Sequence, residues 1–323
     1  MQSKPASGTT VILGTGGTIA GTAADPGDNV GYRAAQIGIA QLVAAVPALA
    51  GLDIEAEQVA QIDSKDMDFA TWQRLARRVA HHLARDEVTG IVITHGTDTL
   101  EETAYFLQRV LAPVKPVVLT GAMRPATALL ADGPQNLLDA VRVAGAVGAC
   151  GVVAVFAGTA HSAFDVRKIH SYRLDAFGSG DAGPIGRVEE GRLRMARNWP
   201  QGAALGLTSI DADPATWPRV EIVFNHAGAG AGVVRALQAQ GVDGLVAAGT
   251  GNASFSAALD QALREAERAG VKVLRCSRCA NGPVVADPGD GQTATPERTP
   301  FQARIELLLQ MLGARVAGLP LPM

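Results

Sequence analysis

The stretch ILGTGGTIAG, residues 12–21, follows a short apolar run with a loop of glycines and threonines. A glycine-rich turn directly after a strand is one way to cradle a phosphate. The same small loop can also hold a hydroxyl group where a substrate reaches it, so that the hydroxyl itself reacts. In either case the loop ends the first strand of the fold. The other motifs of the chain indicate which of the two uses applies.

Short apolar runs like this one recur along the chain and alternate with amphipathic stretches. They are TVILG (10–14), GIVIT (90–94), PVVLTG (116–121) and GVVAVF (151–156). Continuous apolar runs of this length are typical of strands buried on both faces. Residues 68–85 carry apolar residues at helical spacing, with Asp68 placed to cap the helix, and residues 100–111 and 133–148 behave alike. This alternation predicts a parallel sheet with helices on both faces.

Residues 198–218 interrupt the alternation, since they contain three prolines and no clear hydrophobic period. Such a segment is typical of an interdomain linker. The alternation then resumes, with strands predicted at 220–224, 244–249 and 271–274 and helices near 230–240, 254–269 and 300–315. The sequence therefore predicts an α/β protein of two parallel-sheet domains, a larger N-terminal one at 1–198 and a smaller C-terminal one at 219–323, joined by a linker at 199–218.

The composition is that of a globular protein. Hydrophobic residues make up 47% of the 323 residues, charged residues make up 18%, and the formal net charge is −3. This balance gives no electrostatic reason to expect nucleic acid as a partner. The sequence shows neither an apolar run long enough to span a membrane nor an export leader, so we expect a cytoplasmic protein without a membrane partner.

The cysteines and histidines do not follow a metal-binding pattern. The three cysteines are Cys150, Cys276 and Cys279, and the CSRC of residues 276–279 lacks two further ligands at suitable spacing. Three cysteines also make no disulfide framework, as expected in a reducing cytoplasm. The six histidines have no ligand-like spacing, so we expect no metal site.

Ligands of open parallel sheets bind beyond the carboxyl ends of the strands, where loops lead into helices. These loops hold GTGGTIAG (14–21), HGTDT (95–99), AMRP (122–125) and, further on, FDVRKIHS (164–171). They match neither the G-x-G-x-x-G pattern of dinucleotide sites nor the G-x-x-x-x-G-K-[ST] pattern of phosphate loops. The nucleotide interpretation is therefore disfavoured.

The loops instead supply hydroxyl, carboxylate and amine groups. Thr97, Asp98 and Lys168 have the residue types that a proton relay needs, because a threonine is a weak nucleophile until a base removes its proton. Glycines in the same loops let backbone N–H groups approach a substrate, as an oxyanion requires. The alternative is that Thr97 and Asp98 merely cap the helix that begins near Thr99, and that Lys168 is a surface lysine.

Two segments, ILGTGGTIA (12–20) and GIVITHGTDTL (90–100), resemble in full and in order the signature segments of the bacterial-type asparaginase/glutaminase family. The resemblance extends over nearly the whole chain, through EETAYFL (101–107), GAMRP (121–125), ADGPQNL (131–137), DVRK (165–168), GPIG (183–186) and GTGN (249–252). It implies hydrolysis of the side-chain amide of asparagine, and in some members of glutamine, with release of ammonia and without cofactor or metal. It also implies a homotetramer whose active sites lie between subunits.

The resemblance assigns the chemistry to particular residues. It implies that Thr18 is the nucleophile and forms a β-aspartyl ester that water then cleaves. Thr97 is the second threonine of the site, and Lys168 and Asp98 complete a proton relay with it. Tyr32 corresponds to the tyrosine of a mobile lid that buttresses the nucleophile, and residues 22–31, rich in glycine and turn-forming residues, are independently interpreted as a flexible flap.

Substrate binding is implied in the same way. Ser64 holds the α-carboxylate of the substrate and Asp98 meets its α-ammonium group. The backbone N–H groups of Thr97 and Ala122 form the oxyanion hole. Asn252 and Ser254 lie where relatives contribute to the neighbouring subunit's site.

The chain departs from the family pattern at two places. Residues 284–300 are shorter than the segment with which relatives donate a carboxylate to the neighbouring subunit, and Asp287 and Asp290 are the candidates for that carboxylate here. Lys65 stands where a Gln or Glu usually helps to bind the α-ammonium group. An unpaired Lys65 facing the site at roughly 4 Å would repel that group by about 1 to 4 kcal/mol and raise KM, unless the lysine turns outward or pairs with a carboxylate.

Three alternatives to a dedicated asparaginase stay open. One is a dual asparaginase-glutaminase. A non-catalytic amino-acid sensor is the second, but it would be expected to lose Thr18, Thr97 or Lys168, and all three are present. The third is an amidotransferase component, which would favour an extra terminal domain and a basic surface, and the sequence shows neither.

Overall fold

The computed structural model describes residues 8–285 and 298–318. The chain divides into two units, Met1–Leu207 and Thr208–Met323. The point of division lies within the segment interpreted from the sequence as a linker, while the domain limits at 198 and 219 stay predictions.

The first unit alternates strands and helices up to residue 156 and then continues with short strands. Its elements are β1 (Thr9–Gly16), α1 (Ile39–Ala44), β2 (Ile54–Ile62), α2 (Phe69–Leu83), β3 (Val88–Thr94), α3 (Leu100–Leu111), β4 (Val117–Thr120), α4 (Gly133–Ala144), β5 (Val152–Phe156), β6 (Thr159–Ser162), β7 (Arg167–Lys168), β8 (Phe177–Gly178), β9 (Gly186–Glu189) and β10 (Arg192–Met195). Single 3₁₀ turns at Thr18–Ala20 and Ser64–Asp66 follow β1 and β2.

One sheet of eight described strands, in the order β10-β9-β6-β5-β4-β3-β1-β2, forms the centre of this unit. The five strands from β5 to β2 are parallel, as predicted, but β6, β9 and β10 extend the sheet with antiparallel pairings. The reason lies in the connections. Two residues join β5 to β6 and two join β9 to β10, whereas a parallel pair needs a crossover of about a dozen residues.

The core of the first unit lies on both faces of the central strands. Ile12, Val92 and Val118 are fully buried in the cluster that includes residues of α1 and α4. Side chains alternate along a strand, so the equally buried Ile91 and Ile93 face the opposite side. Helices α2 and α3 contact each other and the central strands there, with the rings of Trp72 and Phe106 stacked at a centroid distance of 4.9 Å.

The second unit is a smaller parallel α/β unit. Its elements are β11 (Val220–Phe224), α5 (Gly232–Ala239), β12 (Gly244–Gly249), α6 (Ala257–Arg268), β13 (Lys272–Ser277) and α7 (Pro300–Ala317). The described strands pair in the order β11-β12-β13, all parallel. The predicted fold class, α/β with a larger N-terminal and a smaller C-terminal unit, is confirmed.

Two further features of the described residues concern the helices and the cysteines. Across residues 8–285 and 298–318, none of the helices combines the length and the apolar character that crossing a membrane requires. Cys150, Cys276 and Cys279 are all free thiols, and burial raises the pKa of Cys276 to about 12.

Candidate active site

Four neighbouring parallel strands, β2, β1, β3 and β4, end at one edge of the large sheet. Ser64 follows β2, Thr18 follows β1, Thr97 follows β3 and Ala122 follows β4, each within three residues of the strand's last residue. This edge is where parallel sheets bind their ligands. The structure therefore brings the loops that carry these four predicted site residues to one place.

The loop after β1 buries Thr18 and gives its hydroxyl a partner. Thr18 begins the 3₁₀ turn and is 7% exposed. Its Oγ1 lies 2.6 Å from the hydroxyl oxygen of Tyr32, and either group can be the donor. Tyr32 lies at the end of the loop 22–33, whose ends are tied by reciprocal backbone hydrogen bonds of 2.9 Å between Thr22 and Arg33.

Two glycines allow the loops of Thr18 and Thr97 to touch. Gly17 has a φ of +80°, and a Cβ atom on it would lie 2.4 Å from the Cα and N atoms of Gly96. A Cβ atom on Gly96 would in turn lie 2.4 Å from Oγ of Ser64. A Cβ atom essentially never lies this close to a non-bonded atom, so a side chain at either position would push the loops apart. The glycines of GTGGT and HGT therefore serve close packing of three loops.

Lys168 is held against the loop after β3. Its Nζ donates a hydrogen bond of 2.9 Å to Oγ1 of Thr97 and one of 2.7 Å to Oδ1 of Asp98. The N-cap of α3 is Thr99, which donates from Oγ1 to the carbonyl oxygen of Ser64 at 2.8 Å. The side chains of Thr97 and Asp98 are thus engaged by the lysine, which disfavours the interpretation that they merely cap the helix.

Ser64 links the loop after β2 to the same group of residues. The backbone N–H of Asp98 donates to Oγ of Ser64 at 3.2 Å. Because this oxygen accepts from Asp98, the hydroxyl hydrogen of Ser64 can still be donated to another acceptor. Ser64 is 2% exposed, so the protein atoms packed around it restrict its position.

Glu101 is a site residue that sequence reasoning missed. It lies in the first turn of α3, is 8% exposed, and accepts a hydrogen bond of 2.5 Å from the backbone N–H of Lys168. Burial raises the pKa of this carboxyl to about 7. The available signal was its place in the EETAYFL stretch (101–107), in the first turn of the helix that follows the HGTDT loop.

His95 supports the same loop from behind. The indole N–H of Trp72 donates to Oγ1 of Thr103 at 2.8 Å, and Thr103 lies 2.9 Å from Nε2 of His95. Since the carbonyl oxygen of Gly96 can only accept, Nδ1–H of His95 donates to it at 2.7 Å, and in the neutral ring Nε2 then accepts from the Thr103 hydroxyl. Burial lowers the pKa of His95 to about 4, so the ring is neutral and acts as a fixed brace.

Lys65 is paired within its own chain. Its Nζ lies 2.8 Å from Oδ2 of Asp63 and 3.0 Å from Oδ2 of Asp66, and its side chain is 61% exposed. These two carboxylates raise the pKa of Lys65 above its ordinary value. The structure therefore differs from the unpaired, site-facing lysine considered from the sequence, because acidic residues on both sides of the Ser64–Lys65 pair neutralise it.

Asn252 and Ser254 lie in the second unit, after β12. The side chain of Asn252 pairs with the backbone of Val285: its Nδ2 donates to the carbonyl oxygen at 2.8 Å and its Oδ1 accepts from the N–H at 2.7 Å. Ser254 exchanges backbone hydrogen bonds of 2.8 and 2.9 Å with Thr250. Asp287 and Asp290 lie outside the described residues.

The described residues, 8–285 and 298–318, contain no group of three or more His, Cys, Asp or Glu side chains that could hold a metal ion.

Comparison with known proteins decides the family. The profile described as "Asparaginase, N-terminal" matches residues 9–201, and "Glutaminase/Asparaginase C-terminal domain" matches residues 219–313. The chain belongs to the asparaginase family. The resemblance given by the sequence motifs is thereby confirmed.

Individual members of the asparaginase family match over most of the chain. L-asparaginase 2 of Escherichia coli (strain K12) is 37% identical over 309 residues, which cover 93% of this chain and 88% of that protein. Glutaminase-asparaginase of Pseudomonas fluorescens biotype A is 39% identical over 292 residues, covering 88% and 79%. A crystal structure of a probable cytoplasmic L-asparaginase from Campylobacter jejuni has a TM-score of 0.88 at 36% identity, covering 96% of this chain and 98% of that one.

Proposed function

We propose that this protein is an L-asparaginase, which hydrolyses the side-chain amide of L-asparagine to L-aspartate and ammonia through an ester on Thr18. The observation that carries this proposal is a pair of threonine hydroxyls in the loops that follow two neighbouring strands, β1 and β3. The hydroxyl of Thr18 is bonded to Tyr32, and that of Thr97 is bonded to Lys168. In this proposal, the Thr18 hydroxyl attacks the substrate and the Thr97 hydroxyl moves a proton.

In the first half of the reaction, Oγ1 of Thr18 attacks the amide carbon. The Tyr32 hydroxyl, 2.6 Å from Oγ1, receives the threonine's proton while passing its own proton towards the leaving nitrogen. The N–H groups of Thr97 and Ala122 stabilise the negative charge that develops on the amide oxygen. The C–N bond then breaks, and the nitrogen leaves as ammonia with the proton that Tyr32 passed on.

In the second half, water cleaves the ester. Thr97 takes a proton from the water while passing its own to the Lys168 amine, which in turn releases one of its protons to the Asp98 carboxylate. Asp98 orients that amine through the 2.7 Å contact to its Oδ1. The ester C–O bond breaks, aspartate is released, and the proton returns to Oγ1 of Thr18.

Substrate recognition follows from the charged ends of the amino acid. The hydroxyl of Ser64 donates to the α-carboxylate, since its oxygen already accepts from Asp98. The carboxylate of Asp98 pairs with the α-ammonium group. Asn252 and Ser254, from the second unit of a neighbouring subunit, complete the site in a homotetramer, and Lys65 lies next to it.

A dual asparaginase-glutaminase is the second candidate. Relatives named L-asparaginase 2 and Glutaminase-asparaginase match at similar identities, 37% and 39%, so overall similarity does not separate the two activities. We place the enzyme in the cytoplasm, with support from the Campylobacter jejuni relative that is described as cytoplasmic.

Ammonia release from the protein alone tests the proposal. Rates with L-asparagine, D-asparagine and L-glutamine, over a wide concentration range, should be highest for L-asparagine. A sensor would bind the amino acid without releasing ammonia, and an amidotransferase component would release it only with its partner. Light scattering should give four times the chain mass of 33.3 kDa, and a monomer would overturn the assembly.

A further inference from the structure

We propose that Glu101 is a positioning residue for the reaction, because it fixes the main chain of Lys168 and so holds the amine on Thr97 and Asp98. This inference rests on the proposed function. The sequence motifs assign no role to this carboxylate. Glu101 differs from the residues named above because it contacts the backbone of Lys168 and is not proposed to touch the substrate.

Lys168 needs such support because the strand that carries it is very short. Strand β7 has two residues and pairs only with the two-residue β8, in a ribbon separate from the large sheet among the described strands. A lysine side chain is long and flexible, so the position of its amine depends on where its backbone is held. The neighbouring Val166 and Ile169 donate to the carbonyl oxygens of Ser162 and Ala176 at 2.8 Å each, but the N–H of Lys168 itself donates to Glu101.

The start of α3 provides the anchor. Thr97, Asp98 and Glu101 come from the same short segment, and Glu101 accepts from the Lys168 N–H while the other two accept from its Nζ. Lys168 is therefore hydrogen-bonded at its backbone N–H and at its amine by residues of one short segment, 97–101. The helix itself is fixed by Tyr105 and Phe106, both fully buried.

The burial of Glu101 argues that the contact is functional. A carboxyl group that is 8% exposed costs free energy to desolvate, and an apolar residue would fill the same space without that cost. The charged groups that act on it are Glu102, which raises its pKa, and Arg167 and Lys168, which lower it. Since the pKa is raised to about 7, the carboxyl is partly protonated near neutrality, and the acceptor oxygen is its constant contribution.

The experiment compares Glu101→Gln, Glu101→Asp and Glu101→Ala, with Glu102→Gln as the matched control on the next residue of the same helix. Glutamine keeps an acceptor oxygen at the same reach without the charge. Aspartate keeps the charge but is shorter by one methylene group. If reach to the Lys168 N–H is what matters, the glutamine variant should retain most of the wild-type kcat at pH 8, and the aspartate and alanine variants should not.

We expect kcat to fall about tenfold to a hundredfold in Glu101→Asp and Glu101→Ala, the size of loss that a misplacement near 1 Å causes, while KM changes much less. Hydrogen exchange at the Lys168 amide should become faster in the same two variants and stay slow in Glu101→Gln and Glu102→Gln. That readout does not depend on activity. Wild-type protein without ammonia release would overturn the proposed function, whereas the exchange result would still test Glu101.

Three results would overturn the inference. One is a kcat within twofold of wild type in Glu101→Ala. Another is an aspartate variant that outperforms the glutamine variant, because charge would then matter more than reach. The third is a hydrogen-exchange rate at the Lys168 amide that is unchanged in Glu101→Asp. The aspartate variant keeps the inference testable even if the alanine variant does not fold.

Discussion

The two threonine hydroxyls of the candidate site are held in opposite ways. Thr97 accepts from Lys168, whose own backbone N–H is bonded to Glu101 at the start of a buried helix. Thr18 meets Tyr32, which ends a loop whose tip is exposed, with Val30 at 77%. One hydroxyl thus has a rigid partner, and the other has a partner on a surface loop.

The loop of Tyr32 is tied to the rest of the unit mainly by polar contacts. The N–H of Ala23 donates to Oγ1 of Thr127 at 2.8 Å, and the N–H of Leu129 donates to the carbonyl oxygen of Pro26 at 3.1 Å. Loops that bury little apolar surface open at low free-energy cost. We infer that the Tyr32 side opens to admit the substrate, while the Lys168 side stays assembled throughout the reaction.

Removing the hydroxyl that we propose as the nucleophile should give the largest effect. Thr18→Ala should lower kcat by about 10⁴-fold or more, because a positioned nucleophile and its oxyanion hole act as a unit. The free energy of unfolding should change by less than about 2 kcal/mol, since one methyl-sized group and one hydrogen bond are lost. Ammonia assays and thermal unfolding measure the two quantities.

Trapping the ester adds an independent check on Thr18. Brief exposure of the wild type to substrate, acid quench and peptide mapping should place the adduct on Thr18. An adduct on Thr97 would exchange the roles of the two hydroxyls. The nucleophile would then lie on the Lys168 side of the site, and not on the Tyr32 side that we infer to open.

Changes on the Lys168 side should lower kcat more than they change KM. Lys168→Met should reduce kcat by roughly 10²- to 10⁴-fold with a smaller change in KM, because the amine acts on a proton in flight rather than on the bound amino acid. Lys115→Met is the matched control, since Lys115 donates to the carbonyl oxygen of Arg85 and lies outside the site residues. An increase in KM alone would make Lys168 a binding residue.

The opening side should lose less. Tyr32→Phe keeps the ring and removes the hydroxyl 2.6 Å from Thr18. One lost hydrogen bond to a group that becomes charged corresponds to roughly a tenfold to hundredfold loss in kcat. Pre-steady-state ammonia release should show the slowing in formation of the ester. Tyr172→Phe, at an exposed tyrosine, should match the wild type, and equal losses in both variants would remove the special role of Tyr32.

The sequence predicted the parts of the fold whose hydrophobic pattern is simple. Strands β1, β3, β4 and β5 are continuous apolar runs because they are buried on both faces. Strand β2, IEAEQVAQI, escaped because it lies at the sheet edge and mixes charged with apolar residues. The hairpins before β6 and β10 escaped because Ala157 and Glu190 adopt positive φ, which such residues rarely do.

The candidate site was less accessible to pattern reasoning than the fold. Thr97 and Lys168 are 71 residues apart in the chain, and no local pattern brings them to 2.9 Å. Their pairing was implied by family resemblance, and the catalytic roles stay predictions. Glu101 escaped because hydrophobic periodicity does not indicate which of two adjacent carboxylates in the first turn of a helix is buried.

Lys65 should give the smallest effect. Because Asp63 and Asp66 already neutralise it and its side chain is 61% exposed, Lys65→Gln should change KM for L-asparagine by less than about twofold, with kcat unchanged. Ser64→Ala is the adjacent contrast, and it should raise KM because it removes the proposed donor to the substrate carboxylate. A tenfold lower KM in Lys65→Gln would mean that the lysine leaves its two carboxylates and repels the α-ammonium group. Asp66→Asn separates these cases further, since removing one partner should raise KM only if the lysine then faces the substrate.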